Sequence, residues 1–299
     1  MNNALFRGSG TALVTPFDDG GVNKRVLQEL VEFQISGRTD ALVVCGSTGE
    51  ASTMSPAEQA EVVRVTVEAA RGRVPVIAGV GGSDTAAVSS LAASASEMGA
   101  DALLVSPPPY NKPTQKGIVA HYRAVVGAGK LPVIIYNVPG RTACNVTPET
   151  VEALAEDPRI VGVKEASGDI SQVGELARRV GNRLAIYSGN DDQILPLLSF
   201  GGAGVISVLA NIAPGDVSRI VHLFHAGNLE EARKLQLDYL PLIQALFKES
   251  NPIPVKAAVK ALGFEVGGVR LPLTEPTDEL MATVLREMRR MGIAMGVGV

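Results

Sequence analysis

The sequence predicts an α/β fold, a (β/α)8 (TIM) barrel with a C-terminal helical extension. Three observations lead to this prediction. Eight short runs rich in Val, Ile, Leu and Ala recur along the 299 residues. Each run is followed by a turn and a helical pattern, and successive runs start roughly 20–35 residues apart, the length of one parallel strand with its crossover helix. The runs occupy residues 10–16, 40–46, 74–80, 101–107, 131–137, 160–166, 184–190 and 203–209.

The runs are apolar throughout rather than alternating in polarity, which is typical of strands buried on both faces of a parallel sheet. Eight such units without a break in composition favour a closed barrel, and an open doubly wound sheet is the alternative. After about Gly227 only helical patterns remain. We therefore predict a catalytic barrel over residues 1–227 and a C-terminal helical domain over residues 228–299.

The segments between the runs carry signals for helix starts and ends. Ser55 precedes Pro56 and stands three residues before Glu58, which predicts a capping box with proline in the first turn. Thr147 begins a similar pattern, and Gly99 closes an alanine-rich helix.

The composition excludes several classes of function. The net charge is -4 with no basic block, whereas nucleic-acid binding needs clustered Lys and Arg. No apolar run approaches the ~18 residues of a membrane span, and the opening residues show no apolar leader. Cys45 and Cys144 do not make a disulfide framework. We expect a reduced, cytoplasmic protein that binds neither nucleic acid nor membrane.

Motifs for cofactors and metals are missing from the sequence. Residues 79–84 lack the full G-x-G-x-x-G spacing of a dinucleotide site, and there is no P-loop. His222 and His225 stand three residues apart on a predicted outer helix, without a Cys or carboxylate cluster beside them. We expect a protein that needs no cofactor and no metal.

Lys164 is the sharpest candidate for a catalytic residue. It ends the sixth run, and the active site of a barrel lies at the C-terminal ends of its strands. Strand alternation groups it with Ile160, Gly162 and Ala166 and sets Val161 and Val163 on the other face. We expect Gly162 to leave room for the long side chain of the lysine. Inside a barrel the amine would lose hydration, which favours the neutral form that attacks a carbonyl. A strand-end lysine that reaches water is the alternative.

Polar side chains follow other predicted strands at the same edge. Tyr136 ends the fifth run, where a phenol can move protons, although a core tyrosine is the alternative. Arg141 follows in a glycine-containing loop and suits a bidentate carboxylate contact, unless it is a surface residue. Ser47 and Thr48 lie between glycines, where hydroxyls and backbone N–H groups can hold a small anion.

Seven motifs occur in an order that resembles a known family. They are GSTGEA (46–51), YNKPTQ (110–115), YNVPGRT (136–142), GVKEASGD (162–169), YSGND (187–191), GVISVLAN (204–211) and NPIPVK (251–256). This ordered set resembles the dihydrodipicolinate synthase/N-acetylneuraminate lyase family over nearly the whole chain. The resemblance implies a (β/α)8 barrel with C-terminal helices, a homotetramer and a lysine Schiff base with a 2-oxo acid, commonly pyruvate, without a cofactor.

The resemblance also implies roles for catalytic residues. Lys164 matches the Schiff-base lysine, and Tyr136 matches the tyrosine that passes protons at that centre. Ser47 matches a relay hydroxyl that is usually a threonine. Tyr110 matches the relay tyrosine that a neighbouring subunit lends.

Four further positions match residues that bind substrate in the family. Thr48 matches the residue that holds the pyruvate carboxylate, and Arg141 matches the arginine that receives the carboxylate of the aldehyde. Gly189 and Ile206 match backbone positions that line the site.

The reaction implied is a lyase-type aldol condensation of pyruvate with L-aspartate 4-semialdehyde. Its product is 4-hydroxy-tetrahydrodipicolinate, in diaminopimelate and lysine biosynthesis. Ser47 favours the alternative, an aldolase of the same family acting on N-acetylneuraminate or 2-keto-3-deoxy sugar acids, because serine is common there. A non-catalytic binding protein on the same barrel is a further alternative, which would not need the lysine.

Two departures from the family pattern concern other properties. Pro109 stands before Tyr110, where the synthases usually have a pair of tyrosines. Lysine-inhibited members place His, His, Glu and Tyr at positions that match Pro56, Gln59, Ala87 and Pro109. We therefore expect weak or no feedback inhibition by L-lysine.

Overall fold

The computed structural model describes residues 4–296 of the chain. Within them, parallel strands close into a barrel in the order β1-β10-β9-β8-β7-β6-β5-β4, which confirms the predicted (β/α)8 architecture. The barrel strands are β1 Gly8–Ala12, β4 Ala41–Val44, β5 Val76–Val80, β6 Ala102–Val105, β7 Val133–Asn137, β8 Ile160–Glu165, β9 Ala185–Ser188 and β10 Gly204–Ser207. The pair β2 (Phe17–Asp18) and β3 (Gly21–Val22) forms a small antiparallel hairpin that the sequence analysis missed.

Helices cover the outside of the barrel and form most of the chain after β10. They are α1 Lys24–Ser36, α2 Pro56–Ala70, α3 Thr85–Glu97, α4 Gln115–Gly129, α5 Pro139–Thr142, α6 Pro148–Leu154, α7 Ile170–Val180, α8 Ile194–Ser199, α9 Pro214–His225, α10 Leu229–Leu246, α11 Ile253–Ala261 and α12 Asp278–Arg290. Single turns of 3-10 helix lie at Ala51–Thr53, Asp191–Gln193 and Leu209–Asn211. None of the helices described is both long and apolar enough to cross a membrane.

The predicted capping box of α2 is confirmed. The hydroxyl of Ser55 accepts a hydrogen bond from the backbone N–H of Glu58, and the carboxylate of Glu58 accepts one from the backbone N–H of Ser55. Pro56 occupies the first turn, where its missing N–H removes no helical bond. Thr147 likewise caps α6 through its side chain. These local signals identify helix starts because each depends only on residues three positions apart.

Side chains fill the barrel interior and close its lower end. The rings of Phe6 and Tyr187 stack with their centroids 4.4 Å apart, and the Tyr187 hydroxyl donates to the Phe6 carbonyl oxygen at 2.8 Å. Tyr187 is the register partner of Lys164 near the end of β9, whereas Phe6 precedes β1 and therefore lies at the N-terminal end of the barrel. The opposite end of the barrel is left to form the site, as expected for this fold.

The strand that carries Lys164 departs from simple alternation. The register of β8 against β7 shifts between Val133 and Ile134, so that Val133 pairs with Ile160 and Ile134 pairs with Gly162. Val161 packs against the cluster inside the barrel, whereas Ile160 belongs to the outer core. The prediction that Ile160 shares the face of Lys164 is therefore wrong, because a bulge adds one residue to the strand.

A buried ion pair ties α11 to the loop after β4. Nζ of Lys256 lies 2.6 Å from Oε1 of Glu50, and the two side chains are 2% and 1% exposed. Oε2 of Glu50 accepts a hydrogen bond from the backbone N–H of Arg270 at 2.9 Å. The centroid of the Phe17 ring lies 4.2 Å from Nζ of Lys256. Burial lowers the pKa of Lys256, and the hydrogen bond and charge of Glu50 oppose that change. The C-terminal helices thus bind the barrel mouth directly, and the domain boundary at residue 227 stays a prediction.

Replacing Lys256 by methionine is expected to destabilise the protein by about 3–5 kcal/mol, because Glu50 would remain buried and charged without its partner. Unfolding in denaturant, followed by circular dichroism, measures this loss. Lys260→Met provides a matched control in the same helix, since Lys260 is exposed, and should change stability by less than about 0.5 kcal/mol. Adding Glu50→Gln to Lys256→Met should restore part of the loss. Equal stability of the two lysine variants would contradict the account.

Candidate active site

A cavity of about 650 Å³ opens at the C-terminal ends of the barrel strands. Loops after β4, β5, β6 and β7 line it, together with the segment between α10 and α11. Among the predicted site residues, Ser47, Tyr136 and Arg141 line it, whereas Lys164 does not. Asn251 from the C-terminal segment and Glu50 are also among its polar lining residues.

Lys164 and Tyr136 are direct neighbours across two strands. They are register partners in the pair β7–β8, and Nζ of Lys164 lies 4.4 Å from the centroid of the Tyr136 ring. Lys164 is only 5% exposed. Unlike Lys256, it makes no ion pair with a carboxylate anywhere in residues 4–296. The amine is therefore desolvated and set against a phenol that lines the cavity.

Glycine at position 189 makes the room that the lysine side chain needs. A Cβ at Gly189 would lie 3.1 Å from Cε of Lys164 and 2.5 Å from Cβ of Ala166. The sequence analysis gave this role to Gly162, and that assignment is wrong. A Cβ at Gly162 would instead meet the carbonyl oxygen of Ala185 at 2.8 Å. Gly189 thus shapes the space around the amine.

Close backbone packing supports the turn that carries Ser47 and Thr48. A Cβ at Gly79 would lie 2.4 Å from the carbonyl oxygen of Cys45, so only glycine lets β5 approach this turn so closely. Cys45 has a φ of 55° and lies just past the end of β4. Burial raises the pKa of its thiol to about 12, and the group serves as a small core side chain. The turn after β4 is consequently held rigidly at the cavity.

The two predicted carboxylate-binding residues share one partner. Thr48 is 4% exposed, and its Oγ1 accepts a hydrogen bond from Nδ2 of Asn251 at 2.9 Å. Arg141, in the short helix α5, donates from Nη2 to the backbone carbonyl oxygen of Asn251 at 2.8 Å. The guanidinium is exposed at the cavity entrance. Thr48 itself is absent from the cavity lining, so it lies behind the surface that Ser47 presents.

Asp191 is a buried carboxylate near enough to Lys164 for their charges to interact. Asp191 accepts hydrogen bonds from the hydroxyl of Ser207 and from the backbone N–H groups of Val208 and Leu209. Burial raises the pKa of Asp191, and these hydrogen bonds and the positive charge of Lys164 oppose the rise. The neighbouring residue Ile206 is fully buried in the barrel interior and does not line the cavity.

Tyr110 stands apart from the other predicted residues. Its side chain is 91% exposed and has no place in the cavity lining of its own chain. Its backbone φ is 71°, in the left-handed region that non-glycine residues rarely adopt. The role of Tyr110 in the site of a neighbouring subunit stays a prediction.

The structure reveals functional neighbours that the sequence analysis missed. Glu50, Asn251 and Lys256 all lie at or beside the cavity, yet the first is about 200 residues from the other two in the chain. The available signal was Lys256 within the apolar helical pattern of residues 253–261, since a lysine on a buried face needs a partner. Within residues 4–296, no group of three or more His, Cys, Asp or Glu side chains is placed to hold a metal ion.

These features define a class of protein: a (β/α)8-barrel enzyme with a buried, unpaired lysine beside a tyrosine at the mouth of the barrel. The model of the dihydrodipicolinate synthetase family matches residues 5–290. The chain belongs to this family.

Known proteins similar to the chain are consistent with that membership. The 4-hydroxy-tetrahydrodipicolinate synthase of Thermoanaerobacter sp. (strain X514) is 50% identical over 290 residues, 97% of this chain and 98% of that protein. A structure of the chloride-inhibited dihydrodipicolinate synthase of Acinetobacter baumannii, complexed with pyruvate, is 41% identical with a TM-score of 0.93, covering 96% of this chain and 99% of that one. A monomeric dihydrodipicolinate synthase variant is 39% identical with a TM-score of 0.94, covering 97% and 98%.

Proposed function

We propose that the chain catalyses the aldol condensation of pyruvate with L-aspartate 4-semialdehyde to 4-hydroxy-tetrahydrodipicolinate, through a Schiff base on Lys164. One observation carries the proposal: a 5% exposed lysine without a carboxylate partner lies 4.4 Å from the ring centroid of Tyr136, which lines the cavity. The names of relatives about 50% identical over nearly their whole length support the choice of substrates.

The first half of the reaction uses the amine and its hydroxyl neighbours. Nζ of Lys164 attacks the ketone carbon of pyruvate, and loss of water leaves a protonated imine. Tyr136 and Ser47, which both line the cavity, carry protons to and from this centre. Thr48 holds the carboxylate of pyruvate, and Gly189 leaves the space that the lysine side chain requires. The imine withdraws electrons, so a methyl proton leaves and an enamine forms.

The second half joins the two substrates. The guanidinium of Arg141 lies at the cavity entrance, where it binds the carboxylate of the incoming aldehyde. The nucleophilic carbon of the enamine then adds to the aldehyde carbon. The amino group of the acceptor attacks the imine carbon, closes the ring and releases Lys164. Each step needs only the residues already described and the substrates.

The cellular setting and assembly form part of the proposal. We assign the reaction to diaminopimelate and lysine biosynthesis in the cytoplasm, and the protein to a homotetramer built as a dimer of dimers. The exposed ring of Tyr110 supports an assembly in which a neighbouring subunit receives it.

A rate assay with pyruvate and L-aspartate 4-semialdehyde tests the proposed substrates. Parallel assays should combine pyruvate with N-acetylmannosamine and with simple sugar aldehydes. We expect turnover of the semialdehyde alone, because Arg141 at the entrance fits a second carboxylate. Lys164→Ala serves as the inactive control. Activity on a sugar aldehyde without activity on the semialdehyde would contradict the proposed acceptor and would favour the sugar-acid branch to which Ser47 also fits.

Replacing Tyr110 by phenylalanine is expected to lower kcat by about 10²-fold or more, although this residue lies outside the cavity of its own chain. Activity should return when this variant is mixed with a second inactive variant, because each subunit lends its Tyr110 to the site of its neighbour. When Lys164→Ala and Tyr110→Phe subunits are mixed and reassembled, one site of each hybrid dimer has both groups intact. Random pairing across a symmetric interface should restore about a quarter of wild-type activity. Each variant alone is the control, and mixtures no more active than the separate variants would contradict the shared site.

Added L-lysine should leave the rate unchanged up to about 1 mM. Pro56, Ala87 and Pro109 carry no side-chain group that binds an ammonium or a carboxylate. The amide of Gln59 already donates to the backbone carbonyl oxygens of Ala51 and Met54 at 3.1 and 3.3 Å. The test is a curve of rate against L-lysine concentration, with a synthase that has His, His, Glu and Tyr at these four positions as the inhibited control. Half-inhibition well below that concentration would refute the expectation.

A further inference from the structure

Asn251 lies where three parts of the site meet. It stands just before α11, is 7% exposed and lines the cavity. Its Nδ2 donates to Oγ1 of Thr48 at 2.9 Å, and its backbone carbonyl oxygen accepts from Nη2 of Arg141 at 2.8 Å. A single residue of the C-terminal segment therefore contacts both side chains that are proposed to bind substrate carboxylates.

The direction of the bond to Thr48 decides what that hydroxyl can do. A hydroxyl has one hydrogen to donate and two lone pairs to accept with. Because the Asn251 amide donates, it uses a lone pair of Thr48 Oγ1 and leaves the hydroxyl hydrogen for another acceptor. A carboxylate only accepts hydrogen bonds. The bond thus prepares Thr48 to donate to a carboxylate in the cavity.

We propose that Asn251 is a positioning residue that orients the hydroxyl of Thr48 as a donor toward the carboxylate of the bound 2-oxo acid. The inference rests on the proposed function, in which Thr48 holds that carboxylate. It assigns the side chain of Asn251 to recognition of the 2-oxo acid, and the backbone carbonyl of Asn251 to the placement of Arg141 for the acceptor.

A second link between the same two segments keeps this arrangement in place. Thr48 and Glu50 stand two residues apart after β4. Asn251 binds Thr48 through a hydrogen bond from its side-chain amide, and Lys256 binds Glu50 through a buried ion pair. The ion pair does not depend on the amide. Removing the amide should therefore free the Thr48 hydroxyl to rotate without releasing the loop from α11.

Asn251→Ala separates the two roles of the residue. The variant loses the side-chain amide and keeps the backbone carbonyl that holds Arg141. We expect the pyruvate KM to rise about 10-fold, the size of effect found for a hydrogen bond to a charged group. The KM for the acceptor and kcat at saturating pyruvate should stay within about 2-fold of wild type. A purely structural role would instead lower the active fraction, and with it kcat, without changing the pyruvate KM.

Two replacements of Thr48 provide matched backgrounds in which the effect of Asn251→Ala can be compared with and without the hydroxyl. Thr48→Ser keeps the hydroxyl, and Thr48→Val removes it while preserving the shape of the side chain. Adding Asn251→Ala should raise the pyruvate KM about 10-fold in the serine background and less than 2-fold in the valine background, because contacting pairs are not additive. An equal rise in both backgrounds, or a rise confined to the KM of the acceptor, would overturn the inference.

A further variant covers the case in which Asn251→Ala fails to fold. Asn251→Asp keeps the shape of the side chain, but its carboxylate can only accept from Thr48 and would turn the hydroxyl hydrogen away from the substrate. The pyruvate KM should rise at least as much as in the alanine variant, and an unchanged KM would overturn the inference.

A separate experiment distinguishes failure of this inference from failure of the proposed function. If the wild-type protein forms no borohydride-trapped adduct with pyruvate, the proposed function itself is rejected.

Discussion

The structure depends first on the closure of a parallel barrel. Because all its barrel strands run in the same direction, their C-terminal ends meet at one rim. The same closure buries any side chain that points inward, so Lys164 at the end of β8 is desolvated by the fold rather than by a ligand. The register of β7 against β8 then sets Tyr136 opposite the lysine. The reactivity proposed for Lys164 follows from these two constraints.

The barrel alone leaves the site incomplete. The loops after β4 and β7 line its mouth, and both also contact the C-terminal segment. The C-terminal segment supplies these contacts: Lys256 pairs with Glu50, and Asn251 contacts Thr48 and Arg141. A buried ion pair adds little net stability when compared with apolar residues, but it requires one geometry. The pair therefore fixes the position of α11 relative to the loop after β4.

Much of this arrangement could be predicted from local patterns. The strands, the helix caps at Ser55 and Thr147 and the position of Lys164 depend on residues a few places apart, and the motif order indicated the family. The bulge that reverses Ile160 and Val161 could not be predicted, because it arises from the register between β7 and β8. The space around the lysine was assigned to Gly162 instead of Gly189, since the neighbour comes from another strand.

The contacts of the C-terminal segment were missed for a related physical reason. Glu50 and Lys256 are 206 residues apart in the chain and meet only after it has folded. The residues around each of them do not indicate which residue its partner is. NPIPVK was recognised as a family motif, yet its asparagine and lysine have separate structural roles. Long-range pairing of buried charges is visible only in three dimensions.

The most direct test of the central claim is chemical trapping of the imine. The protein is incubated with pyruvate, reduced with borohydride, digested and mapped by mass spectrometry. We expect one pyruvate-derived adduct per chain, located on Lys164 and missing from a folded Lys164→Ala variant. The other buried amine, Lys256, should stay unmodified because Glu50 holds its charge. An adduct on Lys256, or one that persists in Lys164→Ala, would contradict the assignment of Lys164 as the nucleophile.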